Sequence, residues 1–520
     1  MTNSTTLPLP ALFSDLLQTA VRLHRQGKFA QANGIYEQIL QADPGHFDAL
    51  HFSGVVAKQT GHPEKAVERI SAAINGFRSE FNASHASAFC NLGAAFQGCH
   101  QPEQALVSYQ KAIELKPDYA MAHNNLGNTF KNLGRHQQAI DSYRNAIRCL
   151  PDYPEAFYHC GLALHLTGQF EQALQHYEHA LQLRPAYPQA CNAMGITLHS
   201  LGRYADAVVC YSHAIKIKTD FAQAIFNRGI SYNRLLEFDH AVADFELATS
   251  YQPNYPNAYL YLGNSLRHLN KVELAIAAYQ RARELGAQAN QIDFLLASLG
   301  AGTVPKAPPC AYVSELFDQY ADHFDAHLTQ VLKYAVPEKI STMLCPHLPS
   351  ASMACLDLGC GTGLCAPFLR QHADTLTGVD LSQNMLDQAA RLNLYDSLVC
   401  AEITDFLFHT DEQFDLITAA DVLVYLGDLN QLMQGVGKAL GDRGLFCFSV
   451  EHLDRNGSSD DYILQTSARY AHSAAYLRQL AHRYDLTVID LQQHTGRQEH
   501  QIKSEALIVL LQKVSGTREV

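Results

Sequence analysis

The sequence has few of the features that mark secreted, membrane-spanning or metal-binding proteins. No apolar stretch approaches the ~20 residues that a membrane helix needs, and the N-terminal MTNSTTLPLPALFSDLLQ has neither the basic start nor the unbroken apolar core of a signal peptide. The 13 cysteines form no CxxC pair, and the cluster of Cys355, Cys360 and Cys365 has spacings unlike those of zinc sites. We therefore expect free thiols, no metal, no membrane contact and a cytoplasmic location.

An excess of basic residues is also missing. From residue 310 onward the chain has 27 Asp or Glu and 14 Lys or Arg, so the whole net charge of −13 lies in that part and the rest is neutral. This distribution offers no basic surface to a polyanion, so nucleic acid is not expected as a partner. The 520 residues exceed what one hydrophobic core usually holds, which predicts two or more domains.

A period of 34 residues runs through the first 300 residues. Proline recurs at Pro117, Pro151 and Pro185, and each unit has a glycine followed by an aromatic residue sixteen positions later. The glycines are Gly93, Gly127, Gly161, Gly195, Gly229 and Gly263, and the aromatic residues are Tyr109, Tyr143, Tyr177, Tyr211, Phe245 and Tyr279. This pattern resembles the tetratricopeptide repeat (TPR), a pair of antiparallel helices. Such pairs stack into an all-α superhelix with a concave groove.

About eight repeats and a capping helix are predicted over residues 13–299. Asparagine precedes the glycine by two residues at Asn91, Asn125 and Asn227. In TPR proteins this position lines the groove, where its amide can bond an extended peptide; the alternative is a bond to a neighbouring helix or to solvent. The expected partner of the repeats is therefore a protein or peptide.

A glycine- and proline-rich segment, GAGTVPKAPPCAY, follows the repeats, and residues 300–310 are predicted as a linker. From Ala354 onward, short apolar runs alternate with helical patterns. Alternating strands and helices predict a Rossmann-like α/β domain over residues 311–515. Its ligand is expected at the carboxyl ends of the strands.

The first apolar run of this domain ends in the loop LDLGCGTG, with glycines at Gly359, Gly361 and Gly363. A dinucleotide fingerprint, G-x-G-x-x-G, requires its third glycine where this chain has Leu364. Asp357 places a carboxylate two residues before the first glycine, which suits the positive ammonium and sulfonium groups of S-adenosylmethionine (SAM). The loop therefore favours SAM over NAD as the cofactor.

Two more acidic residues follow at the ends of predicted strands. Asp380 is placed to accept the ribose hydroxyls, although NAD sites share that feature. Glu402 is placed to accept the adenine amino group, or else to cap a helix. Met385 would flank the adenine, or else pack in the core.

The segments LDLGCGTG, GVDLSQNML, AADVLVYLGDL and GLFCFSVE together resemble the class I, seven-stranded SAM-dependent methyltransferases over about residues 310–515. LFDQYADHFDAHL and ARYAHSAAYLRQLA resemble bacterial predicted methyltransferases that carry TPR units. In class I relatives the helix before the first strand often covers the cofactor, which nominates Tyr320. The predicted cofactor-binding residues are Tyr320, Asp357, Gly359, Cys360, Gly361, Gly363, Asp380, Leu381, Met385, Glu402, Ile403 and Ala419.

The methyl acceptor is expected near Asp421 and Tyr425, which follow the fourth strand. The Asn/Asp-Pro-Pro-Tyr type of motif found in enzymes that methylate nucleobases or amides is replaced here by AADVLVYL, which disfavours that chemistry. Asp421 would orient an amine or act as a base, or else cap the strand end. His472 is the titratable group suited to neutral pH, or else a structural histidine. These three residues are the predicted catalytic set.

The sequence thus predicts an enzyme that transfers a methyl group from SAM to a protein, or to a molecule on a protein, recruited by the TPR groove. One alternative is a TPR scaffold whose C-terminal domain binds SAM without catalysis. Another, which the loop disfavours, is an NAD-type oxidoreductase. The acceptor atom and the oligomeric state do not follow from the sequence.

Overall fold

Two compact units make up the chain in a computed structural model, one ending at Pro253 and the other beginning at Asn254. The structure describes residues 9–318, 335–349, 352–454, 460–499 and 502–514. The predicted fold class, an all-α repeat region followed by an α/β domain, is confirmed. The linker predicted at residues 300–310 stays a prediction, and the division into compact units falls before it.

Antiparallel helix pairs fill the first unit, and its described residues contain seven of them. The pairs are α1 and α2 (Leu9–Arg25, Phe29–Ala42), α3 and α4 (Phe47–Gln59, Pro63–Gly76), α5 and α6 (Ala86–Gly98, Pro102–Leu115), α7 and α8 (Ala120–Asn132, His136–Cys149), α9 and α10 (Pro154–Leu166, Phe170–Leu183), α11 and α12 (Pro188–Ser200, Tyr204–Ile217), and α13 and α14 (Ala222–Arg234, Phe238–Tyr251). A 3₁₀ turn, Ala83–His85, separates the second pair from the third.

The 34-residue glycine period has a packing cause. A Cβ atom added at Gly161 would lie 2.6 Å from Cε1 of Tyr177, and the next repeat has the same distance between Gly195 and Tyr211. The rings of Tyr177 and Tyr211 are buried between the two helices of their pair. Because protein interiors are close-packed, the first helix can meet the ring only where it carries no side chain.

The second unit begins with an eighth helix pair, α15 (Pro256–His268) and α16 (Val272–Glu284). Helix α17 (Ala289–Ser298) follows where the capping helix was predicted. Next come α18 (Cys310–Asp318) and α19 (Val336–Leu344), on either side of residues that lie outside the described ranges. None of the helices in those ranges has the length and apolar character of a membrane span.

A mixed, mostly parallel sheet forms the rest of the second unit. Its strands are β1 Met353–Leu358, β2 Ala373–Asp380, β3 Ser397–Cys400, β4 Phe414–Ala419, β5 Leu440–His452, β6 Tyr462–Leu464, β7 Tyr470–His472, β8 Leu486–Glu499 and β9 Ile502–Lys513. Strands β3, β2, β1, β4 and β5 are adjacent in that order and parallel. Beyond β5 the sheet continues with β9 and then β8, each antiparallel to its neighbour. The hairpin of β6 and β7, which the sequence did not predict, pairs with the end of β5.

Helices cover both faces of this sheet. They are α20 Ala366–Leu369, α21 Gln383–Arg391, α22 Ile403–His409, α23 Asn430–Ala439 and α24 Ala474–Arg483. One apolar core joins α22, α23 and α24 to the strands, and another joins α19 and α20 to them. The register pairs Asp357 with Thr418 and Asp380 with Cys400, so the carboxyl ends of β1 to β4 meet at one edge. Ligands bind at such an edge in open α/β sheets.

Candidate active site

A cavity of about 700 Å³ lies at the carboxyl edge of the sheet. Its wall comes from the loops after β1, β2, β3 and β4, from the beginning of α23 and from the segment 306–317. The predicted cofactor residues that line it are Asp357, Gly359, Cys360, Gly361, Asp380, Leu381, Met385, Glu402 and Ile403. Predictions made separately for three loops thus converge on one cavity.

Two predicted cofactor residues in the described ranges are not among those that line the cavity. A Cβ at Gly363 would lie 2.7 Å from Cδ1 of Leu392, which places that glycine against the neighbouring loop. Ala419 is completely buried at the end of β4, and the next residue, Ala420, lines the cavity instead. Tyr320 lies outside the described residues.

The glycine loop turns through backbone conformations that side chains disfavour. Gly359 has φ +63° and Gly361 has φ +54°, both in the left-handed region. A Cβ at Gly359 would also lie 2.5 Å from Cγ2 of Val422. The N–H of Gly361 donates to Oδ2 of Asp380 at 2.9 Å, which ties the loop to the end of β2.

Asp357 is a buried carboxylate at the bottom of the cavity. It accepts hydrogen bonds from the Tyr395 hydroxyl at 2.8 Å and from Oγ1 of Thr418 at 2.9 Å. Burial, together with a smaller effect of the nearby Asp380, raises the pKa of Asp357 to about 6 although the two donors act to lower it. A cationic group in the cavity would stabilise the ionised form of this carboxylate.

Asp380 is held by backbone donors. Its Oδ1 accepts the N–H of Ser382 and its Oδ2 accepts the N–H of Gly361, both at 2.9 Å. Burial raises the pKa of Asp380, and the backbone hydrogen bonds oppose that rise. An ionised carboxylate has about four acceptor positions, so Asp380 has capacity for further donors from a ligand.

Glu402 and Met385 each have a structural contact in addition to their place on the cavity wall. The side chain of Glu402 caps α22 by accepting the N–H of Asp405 at 2.8 Å. Met385 is completely buried in α21, whose N-cap Ser382 accepts the Met385 N–H at 3.2 Å. Both alternatives that the sequence left open, a helix cap and core packing, therefore describe real contacts. Neither contact removes the residue from the cavity.

Asp421 and Tyr425 line the cavity beyond β4. The N–H of Asp421 donates to Oγ of Ser449 at 2.8 Å, and its Oδ1 lies 3.2 Å from Nη2 of Arg469. The Arg469 guanidinium lies 5.7 Å from the centre of the Tyr425 ring, and Phe317 meets that ring edge-on at 5.4 Å. The two predicted acceptor residues thus share one neighbour, Arg469, which the sequence pattern alone did not connect to them.

His472 is not on the cavity wall. It is completely buried in β7, with Nε2 3.0 Å from the carbonyl oxygen of Gly427 and its ring stacked on Tyr476. Burial lowers the pKa of His472 to about 4, so the ring is neutral at pH 7. This geometry is that of a structural histidine, and a catalytic role for His472 stays an untested prediction.

The segment predicted as a linker supplies part of the cavity wall. The carbonyl oxygen of Lys306 accepts hydrogen bonds from the N–H groups of Gly427 and Asp428 at 2.8 and 3.2 Å. The ammonium group of the Lys306 side chain lies 2.8 Å from Oδ2 of Asp428. Burial would raise the pKa of Asp428, but hydrogen bonds from Lys306 and Asn430 hold it at about 2. Sequence reasoning missed these wall residues because glycine and proline indicate a break in secondary structure and carry no information about packing.

Arg483 also lines the cavity without a signal in the sequence. It stands in the last turn of α24, where a basic residue is common for helix-dipole reasons alone. Its guanidinium lies 2.7 Å from Oδ1 of Asn430, at the start of α23. Only the packing of α24 beside α23 places this side chain near the cavity.

The predicted groove residues of the first unit bond neighbouring repeats. The contacts are Asn91 Nδ2 with His51 Nε2 at 2.9 Å, Asn125 Nδ2 with Cys90 Sγ at 3.9 Å, and Asn227 Nδ2 with Asn192 Oδ1 at 3.1 Å. Each contact joins the first helix of one pair to the first helix of the preceding pair. Peptide binding by these amides stays a prediction.

Family models match both parts of the chain. A methyltransferase domain matches residues 356–446, which span the glycine loop and the ends of β2 to β4. TPR repeats match residues 101–134, 127–168 and 164–202, and tetratricopeptide repeats match residues 188–221 and 226–290. The chain therefore contains segments that match TPR repeats and a segment that matches a methyltransferase domain. That domain supports methyl transfer as its general chemistry.

Curated relatives of the methyltransferase domain come from several bacteria. The ubiquinone biosynthesis O-methyltransferase of Thiobacillus denitrificans is 31% identical over 141 residues, which is 24% of this chain and 59% of that protein. The protein of the same name from Coxiella burnetii is 26% identical over 167 residues, 29% of this chain and 69% of that protein. Nodulation protein S of Rhizobium tropici is 33% identical over 86 residues, 16% of this chain and 36% of that protein. The chain thus spans less than two thirds of the Thiobacillus relative.

Two solved structures each match about a third of the chain. MamA is 26% identical, covers 32% of this chain and 94% of its own, and gives a TM-score of 0.29. YrrB, described as a TPR protein with an unusual peptide-binding site, is 24% identical, covers 37% of this chain and 96% of its own, and gives a TM-score of 0.32.

Proposed function

We propose that the C-terminal domain is a class I, SAM-dependent methyltransferase and that the TPR repeats recruit its acceptor, a protein or a molecule carried by one. One observation carries the first part. The carboxylates of Asp357, Asp380 and Glu402, from the ends of three adjacent strands, line one cavity beside a glycine loop. The methyltransferase domain match over residues 356–446 supports the same assignment.

The chemistry of the cavity wall fits SAM. The buried carboxylate of Asp357 suits a ligand with positive ammonium and sulfonium groups. Asp380 would accept hydrogen bonds from the ribose hydroxyls at the acceptor positions of its carboxylate that the two backbone N–H groups do not use. Glu402 and the backbone of Ile403 would meet the polar edge of adenine, and the apolar side chain of Leu381 would lie against its face.

Acceptor chemistry would take place beside Asp421 and Tyr425. When bound, SAM supplies a methyl group on a sulfonium that an acceptor takes by in-line displacement, which depends mainly on proximity and orientation. Nη2 of Arg469 pairs with Oδ1 of Asp421, and a carboxylate has further acceptor positions beyond one such partner. We therefore assign Asp421 to the orientation of an N–H or O–H group on the acceptor, and Tyr425 and Phe317 to the exclusion of water.

Binding of S-adenosylhomocysteine to the full chain tests the cofactor assignment. Asp380→Ala removes the carboxylate that would bond the ribose, and hydrogen bonds to charged groups contribute about 1.5–3 kcal/mol each, so we expect about 100-fold weaker binding by isothermal titration calorimetry. Asp374→Asn is the matched control, because Asp374 is an exposed acid on the same strand. The control should bind like the unmodified chain.

Two other results would redirect the proposal. Binding of NADH in place of S-adenosylhomocysteine would establish the oxidoreductase alternative. Binding of S-adenosylhomocysteine without any transfer of tritiated methyl from SAM to a lysate component would support the scaffold alternative. Transfer that is lost in Asp380→Ala and kept in Asp374→Asn would establish the enzyme.

A further inference from the structure

A buried ion network lies directly behind the acceptor side of the cavity. Nη2 of Arg469 is 3.2 Å from Oδ1 of Asp421, and Nη1 of Arg469 is 2.8 Å from Oε1 of Glu451. The three side chains are only 10–13% exposed. Buried charges are costly unless they are paired, so the one guanidinium between two carboxylates fixes the position of both.

The backbone of Asp421 has an uncommon conformation beside this network. Asp421 has φ +61°, a left-handed conformation that residues other than glycine adopt uncommonly, and it stands two residues after the end of β4. Such conformations persist only where surrounding contacts enforce them, and they often occur at functional sites. The contacts of Asp421 here include the hydrogen bond to Ser449 and the ion pair with Arg469.

Arg469 itself stands at the end of a tight turn that the eighth repeat contacts. The turn closes through the N–H of Gln465, which donates to the carbonyl oxygen of Arg469 at 2.8 Å, and Ala468 within it has φ +62°. Nη1 of Arg267, in the last turn of α15, donates to the carbonyl oxygen of Thr466 at 2.9 Å. The repeat therefore contacts the turn three residues before the guanidinium that holds Asp421.

The capping helix and the following segment contact Tyr470, the residue directly after Arg469. The ring of Phe294 in α17 lies 6.4 Å from the ring of Tyr470. The Tyr470 hydroxyl donates to the carbonyl oxygen of Pro305 at 2.7 Å. All of these residues belong to the second compact unit, so the contacts lie within one unit.

We propose that Arg469 is a positioning residue for the Asp421–Tyr425 wall, and that the eighth repeat fixes Arg469 through Arg267. The inference rests on the proposed function, because it assigns the repeat a role at the acceptor side of that site. The proposal also makes the eighth helix pair, α15 and α16, part of the catalytic unit. A chain that begins at residue 300 would therefore lack contacts that shape the site.

A single tryptophan can report on this wall, because the chain contains none. The reporter is the full-length chain with Tyr425→Trp. Its reporter signal is the tryptophan emission wavelength together with the quenching of that emission by acrylamide. The affinity for S-adenosylhomocysteine is measured separately on the same chain. Arg469→Met should shift the emission to the red and increase quenching, while the affinity stays unchanged. Arg469→Lys should restore part of the emission, since lysine keeps the charge but not the two-pronged geometry.

Arg267→Met tests the link to the repeat, and it also covers the case in which Arg469→Met does not fold. Arg267 is outside the buried network, so its loss should change the reporter signal less than the loss of Arg469 and in the same direction. Arg281→Met is the matched control, because Arg281 pairs with Glu284 on the exposed face of α16 in the same repeat.

The outcomes distinguish the positioning role of Arg469 from its link to the eighth repeat. An unchanged reporter signal in Arg469→Met overturns the positioning role. A tenfold or greater loss of S-adenosylhomocysteine affinity in that variant also overturns it, because the substitution would then have disturbed the whole cavity. A reporter signal in Arg267→Met equal to that in Arg281→Met overturns the link to the repeat. Failure of the unmodified chain to bind S-adenosylhomocysteine refutes the proposed function instead.

Discussion

The repeats and the α/β domain both depend on glycine, but for different physical reasons. Gly161 stands inside α9, where its missing side chain makes room for the ring of Tyr177. Gly359 stands in the loop after β1, where its left-handed backbone turns the chain over the edge of the sheet. In the repeats the same packing requirement returns every 34 residues, so the spacing of the glycines and aromatic residues in the sequence indicates that they pack together. The loop occurs once, and it has to be interpreted from neighbours such as Asp357 and Leu364.

A methyl group at the repeat glycine should give the largest effect on stability. Gly161→Ala would place a Cβ 2.6 Å from Cε1 of Tyr177, and overpacking of this kind costs about 1–3 kcal/mol. We expect a lower midpoint of urea unfolding, followed by the helical signal in circular dichroism. Affinity for S-adenosylhomocysteine should not change, because Gly161 belongs to the other compact unit.

Gly34→Ala is the control for that substitution. Gly34 lies on the exposed face of α2, with no atom within 4 Å of an added Cβ. Alanine is the better helix former by about 1 kcal/mol, so this change should raise the midpoint. If Gly161→Ala also raised it, the contact with Tyr177 would not be the reason for the glycine period.

The buried carboxylate of the α/β domain predicts a pH dependence that the repeats do not share. Because burial raises the pKa of Asp357 to about 6, the unliganded chain gains stability as this group takes a proton and the pH falls through 6. A cationic ligand favours the ionised form of Asp357, so the affinity for SAM should fall as the pH falls through 6. One group of pKa 6 is about nine-tenths ionised at pH 7 and about one-tenth at pH 5, which predicts about tenfold weaker binding at pH 5.

Asp357→Asn should remove this pH dependence. Calorimetric titration of SAM at pH 5, 6 and 7 would give weaker binding to the variant at pH 7 and a nearly flat profile. Asp374→Asn, with its exposed acid, should keep the profile of the unmodified chain. An unchanged profile in Asp357→Asn would show that another group senses the pH.

Sequence reasoning succeeded where the physical requirement is local or periodic. The glycine period predicted the helix pairs, and the acids Asp357 and Asp380 could be placed at one edge because carboxyl ends of parallel strands meet there. It failed for contacts between distant segments. Lys306 and Asp428 are 122 residues apart, and Arg469 and Asp421 are 48 apart. Nothing in the spacing of either pair indicates that they meet, since the fold alone brings their segments together.

The smallest effect on stability is expected at the asparagines of the repeats. Its size distinguishes a link between neighbouring repeats from a contact with the recruited partner. Asn227→Ala removes a neutral hydrogen bond to Asn192, which contributes about 0.5–1.5 kcal/mol, so the urea midpoint should fall slightly. Gln223→Ala, on the exposed face of the same helix, should leave the midpoint unchanged. A lower midpoint with full methyl labelling of the lysate would make Asn227 a link between repeats. An unchanged midpoint with reduced labelling and unchanged S-adenosylhomocysteine affinity would show that the amide contacts the recruited partner, because only the acceptor would then have been lost.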